Sequence, residues 1–167
     1  MISIETIVVS METNRVQRQS ISDLESHLGY WLRRVSNAVS GSFSRALQAK
    51  QTSVAEWVLL RELYKRGRAA PGDLANMLGL TRGAVSKIVD KLETKEWVQT
   101  EGKEGDNRFR VLSLTHAGLR NLPALAQVAD RNDEAFFACL DTREKNILRE
   151  LLIKIAEHNR IHDVPTE

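Results

Sequence analysis

Apolar residues recur at spacings of three or four along most of this chain, and polar or glycine-rich stretches separate the runs. The first run extends from Ser22 to about Leu47 and predicts an amphipathic helix. The second run opens with Ser53 and Glu56 at capping-box spacing and stops at Gly67. Two helices are therefore expected before residue 68.

Two shorter helices are expected next, joined by a tight turn. Pro71 suits the first turn of a helix because its missing amide hydrogen is no loss there, and Gly79 ends this helix. Thr81 then caps a fourth helix with a narrow apolar stripe made of Val85, Ile88, Val89 and Leu92. Because that stripe faces the core, the opposite face of the fourth helix points outward.

Strand-like residues follow at Trp97–Glu101 and Phe109–Leu114, and the turn between them is polar and glycine-rich. This pattern predicts a β-hairpin. A fifth helix is expected from about Thr115. Because Pro123 lies inside its pattern, we expect a kink or a restart there, capped by Asn121.

A second capping box, Asp141 with Glu144, opens a last helix that runs through Ile155. The predicted fold is mainly α with a small β-hairpin wing, and apolar helices flank the central module at both ends. A small winged module does not need two such helices, so we assign them to a two-fold dimer. The alternative is a monomer whose end helices cover the module. The expected organisation is an N-terminal arm over 1–21, a dimerisation helix over 22–50, a winged domain over 51–115 and C-terminal dimerisation helices over 116–167.

The composition fits a compact domain and excludes a strongly basic one. The 167 residues are 42% hydrophobic with a net charge of +2, and basic and acidic residues nearly balance within 81–110. A DNA-facing surface must therefore arise from geometry rather than from excess charge. The single cysteine, Cys139, fits a reducing compartment, and its apolar surroundings predict a buried, inert thiol. The N-terminal apolar stretch is too short for a membrane span, so a cytoplasmic protein is expected.

The outward face of the fourth helix has the chemistry of a DNA-reading helix. Thr81, Arg82, Ser86 and Lys87 offer donors to base edges and phosphates, and Gly83 lets the backbone approach the groove. The succession of helix, glycine turn, helix and hairpin describes a winged helix–turn–helix. Such a module places its second helix in the major groove of double-stranded DNA.

The hairpin carries the most specific motif: Asp106–Arg108, followed by Leu114–Thr115 and Gly118. This order resembles the wing pattern of the MarR family of dimeric bacterial transcription regulators, D-x-R followed by L-T-x-x-G. The resemblance extends over about residues 22–160. It implies that Arg108 reaches into the minor groove, where negative potential is concentrated, while Asp106 holds it in place. It also implies a homodimer on a pseudo-palindromic operator and repression that a small ligand releases.

The chain departs from the family pattern at several positions. A glycine usually closes the recognition helix where this chain has Glu96, a residue that disfavours the left-handed conformation. The other departures are Ala70, Thr100 and Asn107. Together they predict fewer phosphate contacts than is usual in the family.

MarR-like proteins commonly bind small aromatic anions between the dimer helices and the DNA-binding lobe. The residues predicted to line such a site here are His27, Tyr30, Trp31, Arg34, Trp57 and Arg61. An aromatic wall beside a guanidinium suits a small aromatic or anionic effector. The alternative is that both tryptophans belong to the core and both arginines to the surface.

Other classes of function have weaker support. The sequence has no G-x-S-x-G elbow and no phosphate-binding loop, so no enzyme and no cofactor are expected. His158 and His162 have the spacing of metal ligands, but no cysteine or third histidine lies near them, and no metal is expected. The competing interpretation is a winged-helix adaptor that binds protein and not DNA.

Overall fold

The computed structural model describes residues 21–102, 110–162 and 166. No helix in these ranges is long and apolar enough to cross a membrane. The chain divides into two compact units, Met1–Ser36 and Asn37–Glu167. The helices are Leu28–Gln48 (α1), Val54–Arg66 (α2), Pro71–Met77 (α3), Arg82–Thr94 (α4), His116–Phe136 (α5) and Thr142–His158 (α6). The strands are Arg68–Ala69 (β1), Val98–Glu101 (β2) and Val111–Leu114 (β3).

The first unit contains a 3-10 turn over Leu24–Ser26 before α1 begins. The expected helix start at Ser22 is therefore wrong, because His27 has extended backbone angles and separates the turn from the helix. The Trp31 indole donates a hydrogen bond to the Glu25 carbonyl at 2.8 Å. In a continuous helix that carbonyl would accept the amide hydrogen of the residue four positions ahead, so the indole stabilises the break.

The core lies in the second unit, among α2, α3, α4, β3 and α5. The stripe predicted for α4 is confirmed, since Val85, Val89 and Leu92 are buried and Ile88 packs against them. The other buried apolar residues include Leu47, Leu59, Leu60, Leu63, Leu74, Leu112, Leu122 and Leu125. The outward face of α4 is thus fixed by the burial of its inner face.

Both predicted capping boxes are present. The Ser53 side chain accepts from the Glu56 amide and the Glu56 carboxylate accepts from the Ser53 amide, and Asp141 and Glu144 make the same reciprocal pair at α6. Each box satisfies two amide donors that a helix start leaves free.

A three-stranded antiparallel sheet in the order β1-β3-β2 packs on these helices. Val98 pairs with Leu114 and Glu101 with Val111, as the predicted hairpin requires. The sequence pattern missed β1, since two residues are too few to show the alternation of a strand. The predicted class, mainly helical with a small sheet, is confirmed.

Three details expected for the C-terminal region are wrong: the restart at Pro123, the cap from Asn121 and the burial of Cys139. The helix α5 continues through Pro123 without a restart, and Asn121 donates to the Ala117 carbonyl instead of capping. Pro123 is exposed, so water can satisfy the carbonyl that loses its partner. Cys139 is exposed and not buried, because α5 ends at Phe136 and leaves the thiol in the turn before α6.

Candidate DNA-binding interface

A tight turn sets the direction of α4 relative to α3. Gly79 has a φ of 62°, and the amide of Leu80 donates to the carbonyl of Ala75 at 3.0 Å. This is the Schellman closure, in which a left-handed residue reverses the chain after a helix. Thr81 then starts α4, and its hydroxyl accepts the amide hydrogen of Ala84 at 3.1 Å. The predicted turn and cap are confirmed.

The residues predicted to contact DNA in α4 lie together on its exposed side. Arg82, Ser86 and Lys87 are exposed along successive turns, with Thr81 exposed at the N-terminal end. The oxygen of Thr81 serves the helix as an acceptor, and its hydroxyl hydrogen is free to act as a donor. A Cβ added at Gly83 would meet nothing within 4 Å. The fold therefore does not need glycine at this position.

The two predicted wing residues, Asp106 and Arg108, lie outside the described residues. What the structure shows is the base of the wing, where β2 and β3 pair up to Glu101 and Val111. Arg68 of β1 forms an ion pair with Glu101 across the sheet, with 2.9 Å between Nη2 and Oε2. Both side chains are largely exposed, so the pair adds little to the free energy of folding.

A crevice of about 500 Å³ separates α4 from the sheet. Its lining includes Arg82, Ser86, Asp90 and Arg110. Arg110 was not predicted as a site residue, because the sequence shows it as one more charge beside the wing. The structure places it on the same crevice as Arg82, where the carboxylates of Asp90 and Glu93 also lie, so the crevice brings charges from α4 and from the wing base together without an excess of either sign.

The L-T-x-x-G motif joins α4, the sheet and α5 at one point. The Thr115 hydroxyl donates to the Glu96 carbonyl at 2.5 Å and accepts from the Gly118 amide at 3.0 Å. A Cβ on Gly118 would lie 2.1 Å from the carbonyl oxygen of Trp97. Glu96 itself has a φ of 59°, the left-handed conformation that its glycine-like position predicts. The motif is therefore a close backbone contact that fixes the wing base to α5.

The residues predicted for an effector form two groups, each within its own unit. In the first unit Tyr30 and Trp31 pack edge to face, and the Arg34 guanidinium lies 5.6 Å from the Trp31 ring centroid. In the second unit the Arg61 guanidinium lies 5.5 Å from the ring of Trp57. Trp57 belongs to the core, as the alternative interpretation expects, whereas Trp31 is 44% exposed. His27 is exposed in the first unit.

Comparisons with known proteins agree with this geometry. The model of the MarR family matches residues 52–109. The chain is 24% identical over 135 residues to the HTH-type transcriptional repressor NicR of Pseudomonas putida, covering 81% of this chain and 85% of NicR.

Two solved structures share the fold. One is a cysteine-to-serine variant of MarR from E. coli complexed with operator DNA, with a TM-score of 0.66, 22% identity and coverage of 77% of this chain and 92% of that one. The other describes regulation of DNA binding of BpsR from Bordetella bronchiseptica by 6-hydroxynicotinic acid, with a TM-score of 0.70, 18% identity and coverage of 81% and 98%.

Proposed function

We propose that this chain, whose residues 52–109 match the MarR family model, is a DNA-binding transcriptional regulator of that family and acts as a homodimeric repressor that a small ligand releases from its operator. It is a regulator and not an enzyme. NicR, one of its relatives, is named a repressor, which supports that direction of control. The proposed place of action is the cytoplasm, where such a regulator meets its DNA.

In this proposal α4 lies in the major groove of double-stranded DNA. The side chains that would then face base edges and phosphates are those of Thr81, Arg82, Ser86 and Lys87. All four are exposed on the same side of α4, which supports this role. The wing residues Asp106 and Arg108 complete the interface, with Arg108 in the minor groove. Two such heads, related by two-fold symmetry, fit half-sites about 10 bp apart on a pseudo-palindromic operator.

The main observation in support of the homodimer is that the apolar residues of α6 are exposed to solvent. This helix is capped at its start, every one of its residues is described, and none of them is buried. Ile147, Leu151 and Ile155, which share one face, are each at least 45% exposed. A contiguous apolar helix face of this kind marks an interaction surface, and the same face on a second copy is a partner of matching chemistry.

Leu151→Asp is expected to raise the dimer dissociation constant at least about 100-fold, because it places a charge in the centre of the apolar face. Sedimentation velocity over a range of protein concentrations measures this shift. The control is Asn146→Asp, which adds the same charge on the opposite side of α6, where Asn146 is exposed and accepts a hydrogen bond from Arg149. A Leu151→Asp protein that stays dimeric would exclude α6 as the interface.

For the effector we propose a small aromatic or anionic molecule bound by the predicted residues. Trp31, half-buried Tyr30 and Arg34 offer aromatic surface beside a guanidinium. Arg61 offers a second guanidinium, beside the ring of the core residue Trp57. His27 is the remaining member of the predicted set. The regulation of DNA binding of BpsR by 6-hydroxynicotinic acid supports this chemical class.

The Arg108→Ala variant distinguishes DNA binding from the alternative function, a winged-helix adaptor that binds protein. If the wing reads DNA, the variant binds DNA about tenfold more weakly and the slope of log K against log salt becomes shallower by about one. Fluorescence anisotropy with labelled duplex at several salt concentrations measures both quantities. Arg149→Ala serves as the control for loss of one positive charge, because Arg149 is exposed on α6 and is not among the residues predicted to contact DNA. An Arg108→Ala protein with unchanged affinity and slope would favour the adaptor.

A further inference from the structure

Lys95, the first residue after α4, makes three contacts with its ammonium group. The Nζ atom donates to the Gln51 carbonyl at 2.6 Å and to the Glu56 carboxylate at 3.1 Å. It also lies 5.1 Å from the centre of the Trp97 ring. One side chain thus joins the end of α4 to two separate segments of the chain and to the residue that precedes β2.

The two hydrogen-bond partners of Lys95 lie at the end of one helix and the start of the next. Gln51 has a φ of 56° and closes α1, with the Thr52 amide donating to the Leu47 carbonyl. A non-glycine residue in this conformation is strained, so a contact that holds its carbonyl stabilises the turn. Glu56 belongs to the capping box that starts α2. Lys95 therefore connects the α1–α2 turn to the C-terminal end of the recognition helix.

The contact between Lys95 and Glu56 differs from an ordinary surface ion pair. The Glu56 side chain is 5% exposed and that of Lys95 is 25% exposed. The same carboxylate oxygen also accepts from the Ser53 amide at 2.7 Å. Because a buried carboxylate without a cationic partner is unfavourable, the position of Glu56 determines where the end of α4 is held.

We propose that Lys95 is a positioning residue for DNA binding, which fixes the tilt of α4 and the start of the wing relative to the α1–α2 turn. The proposal rests on the DNA-binding function proposed for α4. The inner face of α4 is anchored in the core, and the Glu96 carbonyl ties the end of the helix to Thr115. Lys95 adds the tie to the α1–α2 turn, which neither of those contacts supplies. A helix of 13 residues is about 20 Å long, so a tilt of about 10° shifts one end by about 3 Å relative to the other. A shift of that size moves Arg82 out of hydrogen-bond reach of a base.

The test compares Lys95→Met with the double variant Lys95→Met/Glu56→Gln. The single variant leaves the Glu56 carboxylate buried without its cation, and a lower urea midpoint is expected. The double variant removes both charges, keeps the net charge of the protein and retains an amide oxygen for the Ser53 amide. Its urea midpoint is therefore expected to return towards that of the wild type.

The DNA affinity of the folded variants then shows whether Lys95 positions α4 for DNA binding or only stabilises the fold. The probe is the duplex that the wild-type protein selects from a random-sequence pool, and each variant is titrated where its urea curve shows it fully folded. We expect the double variant to bind at least about fivefold more weakly than the wild type, because the tie to Gln51 and Glu56 is gone. Lys95→Arg keeps a cation that can donate to Gln51 and Glu56 and lie beside the Trp97 ring, and it is expected to bind within about twofold of the wild type. The control for charge is Lys91→Met, one turn earlier on α4.

Each outcome decides the proposal. A double variant that binds as the wild type does would show that Lys95 contributes stability alone and would overturn its positioning role. A Lys91→Met protein that loses as much affinity as the single variant Lys95→Met would overturn it too, since loss of one positive charge near the end of α4 would then account for the effect. If the wild-type protein selects no duplex from the pool, the DNA-binding function fails first, and the role of Lys95 fails with it.

Discussion

Gly118→Ala is expected to lower the free energy of unfolding by about 3 kcal/mol or more. The added Cβ would lie 2.1 Å from the Trp97 carbonyl oxygen, a backbone atom that cannot rotate away. That oxygen also accepts the amide hydrogen of Thr115 at 3.0 Å, so moving it breaks the N-terminal contact of α5 with the wing base. Urea denaturation followed by far-UV circular dichroism measures the change.

The matched control for this substitution is Gly29→Ala. Gly29 also lies within the first turns of a helix, and a Cβ added there would meet nothing within 4 Å. Its expected effect on the free energy of unfolding is within about 1 kcal/mol, in the stabilising direction. If Gly118→Ala were as stable as Gly29→Ala, the close contact between α5 and Trp97 would be wrong.

Gly83→Ala is expected to have opposite effects on stability and on DNA binding. Gly83 is the second residue of α4, and a Cβ there has open space around it in the free protein. Alanine favours helix over glycine by about 1 kcal/mol at most at such a position, so the folded protein gains stability. If the start of α4 lies against DNA, the same methyl group overpacks that contact and weakens binding about tenfold.

The two measurements are a urea titration and an anisotropy titration with the selected duplex. Gly29→Ala is again the control, because it makes the same change at the second residue of α1, and Gly29 is not among the residues predicted to contact DNA. A Gly83→Ala protein that is more stable and binds DNA as tightly as the wild type would contradict the proposed approach of the α4 backbone to the groove.

The sequence predicted the features that depend on residues close together in the chain, such as helix caps and helix ends. The capping boxes at Ser53 and Asp141 and the closure at Gly79 each depend on residues within a few positions, and all three are present. The apolar stripe of α4 was equally readable, because the inner face of a helix is set by spacing alone. The glycine-like position of Glu96 was predicted from the family pattern, and its positive φ agrees.

The sequence did not predict features that depend on a specific side-chain contact or on exposure in the folded protein. The break at His27 is stabilised by the Trp31 indole on the Glu25 carbonyl, which no helical periodicity reveals. Pro123 is accommodated within α5 because it is exposed, and exposure is a property of the packed structure.

The candidate DNA-binding interface could likewise be predicted only in part from the sequence. Arg82, Ser86 and Lys87 could be chosen from a helical pattern, but the role of Lys95 depends on Gln51 and Glu56, which lie 44 and 39 positions earlier in the chain. In the sequence Lys95 is one charge in a nearly balanced segment. Long-range contacts of this kind become visible in the tertiary structure.

The central claim, binding of specific double-stranded DNA, is tested most directly by titrating the purified protein against DNA from upstream of its own gene. Unrelated DNA of equal length is the control, and the titration is repeated at about 50 mM and about 200 mM salt. The account predicts selective binding that weakens at least about 100-fold between these two conditions, because the release of counterions from the DNA phosphates is less favourable at higher salt concentration. Absence of binding to any duplex at the lower salt concentration would contradict it.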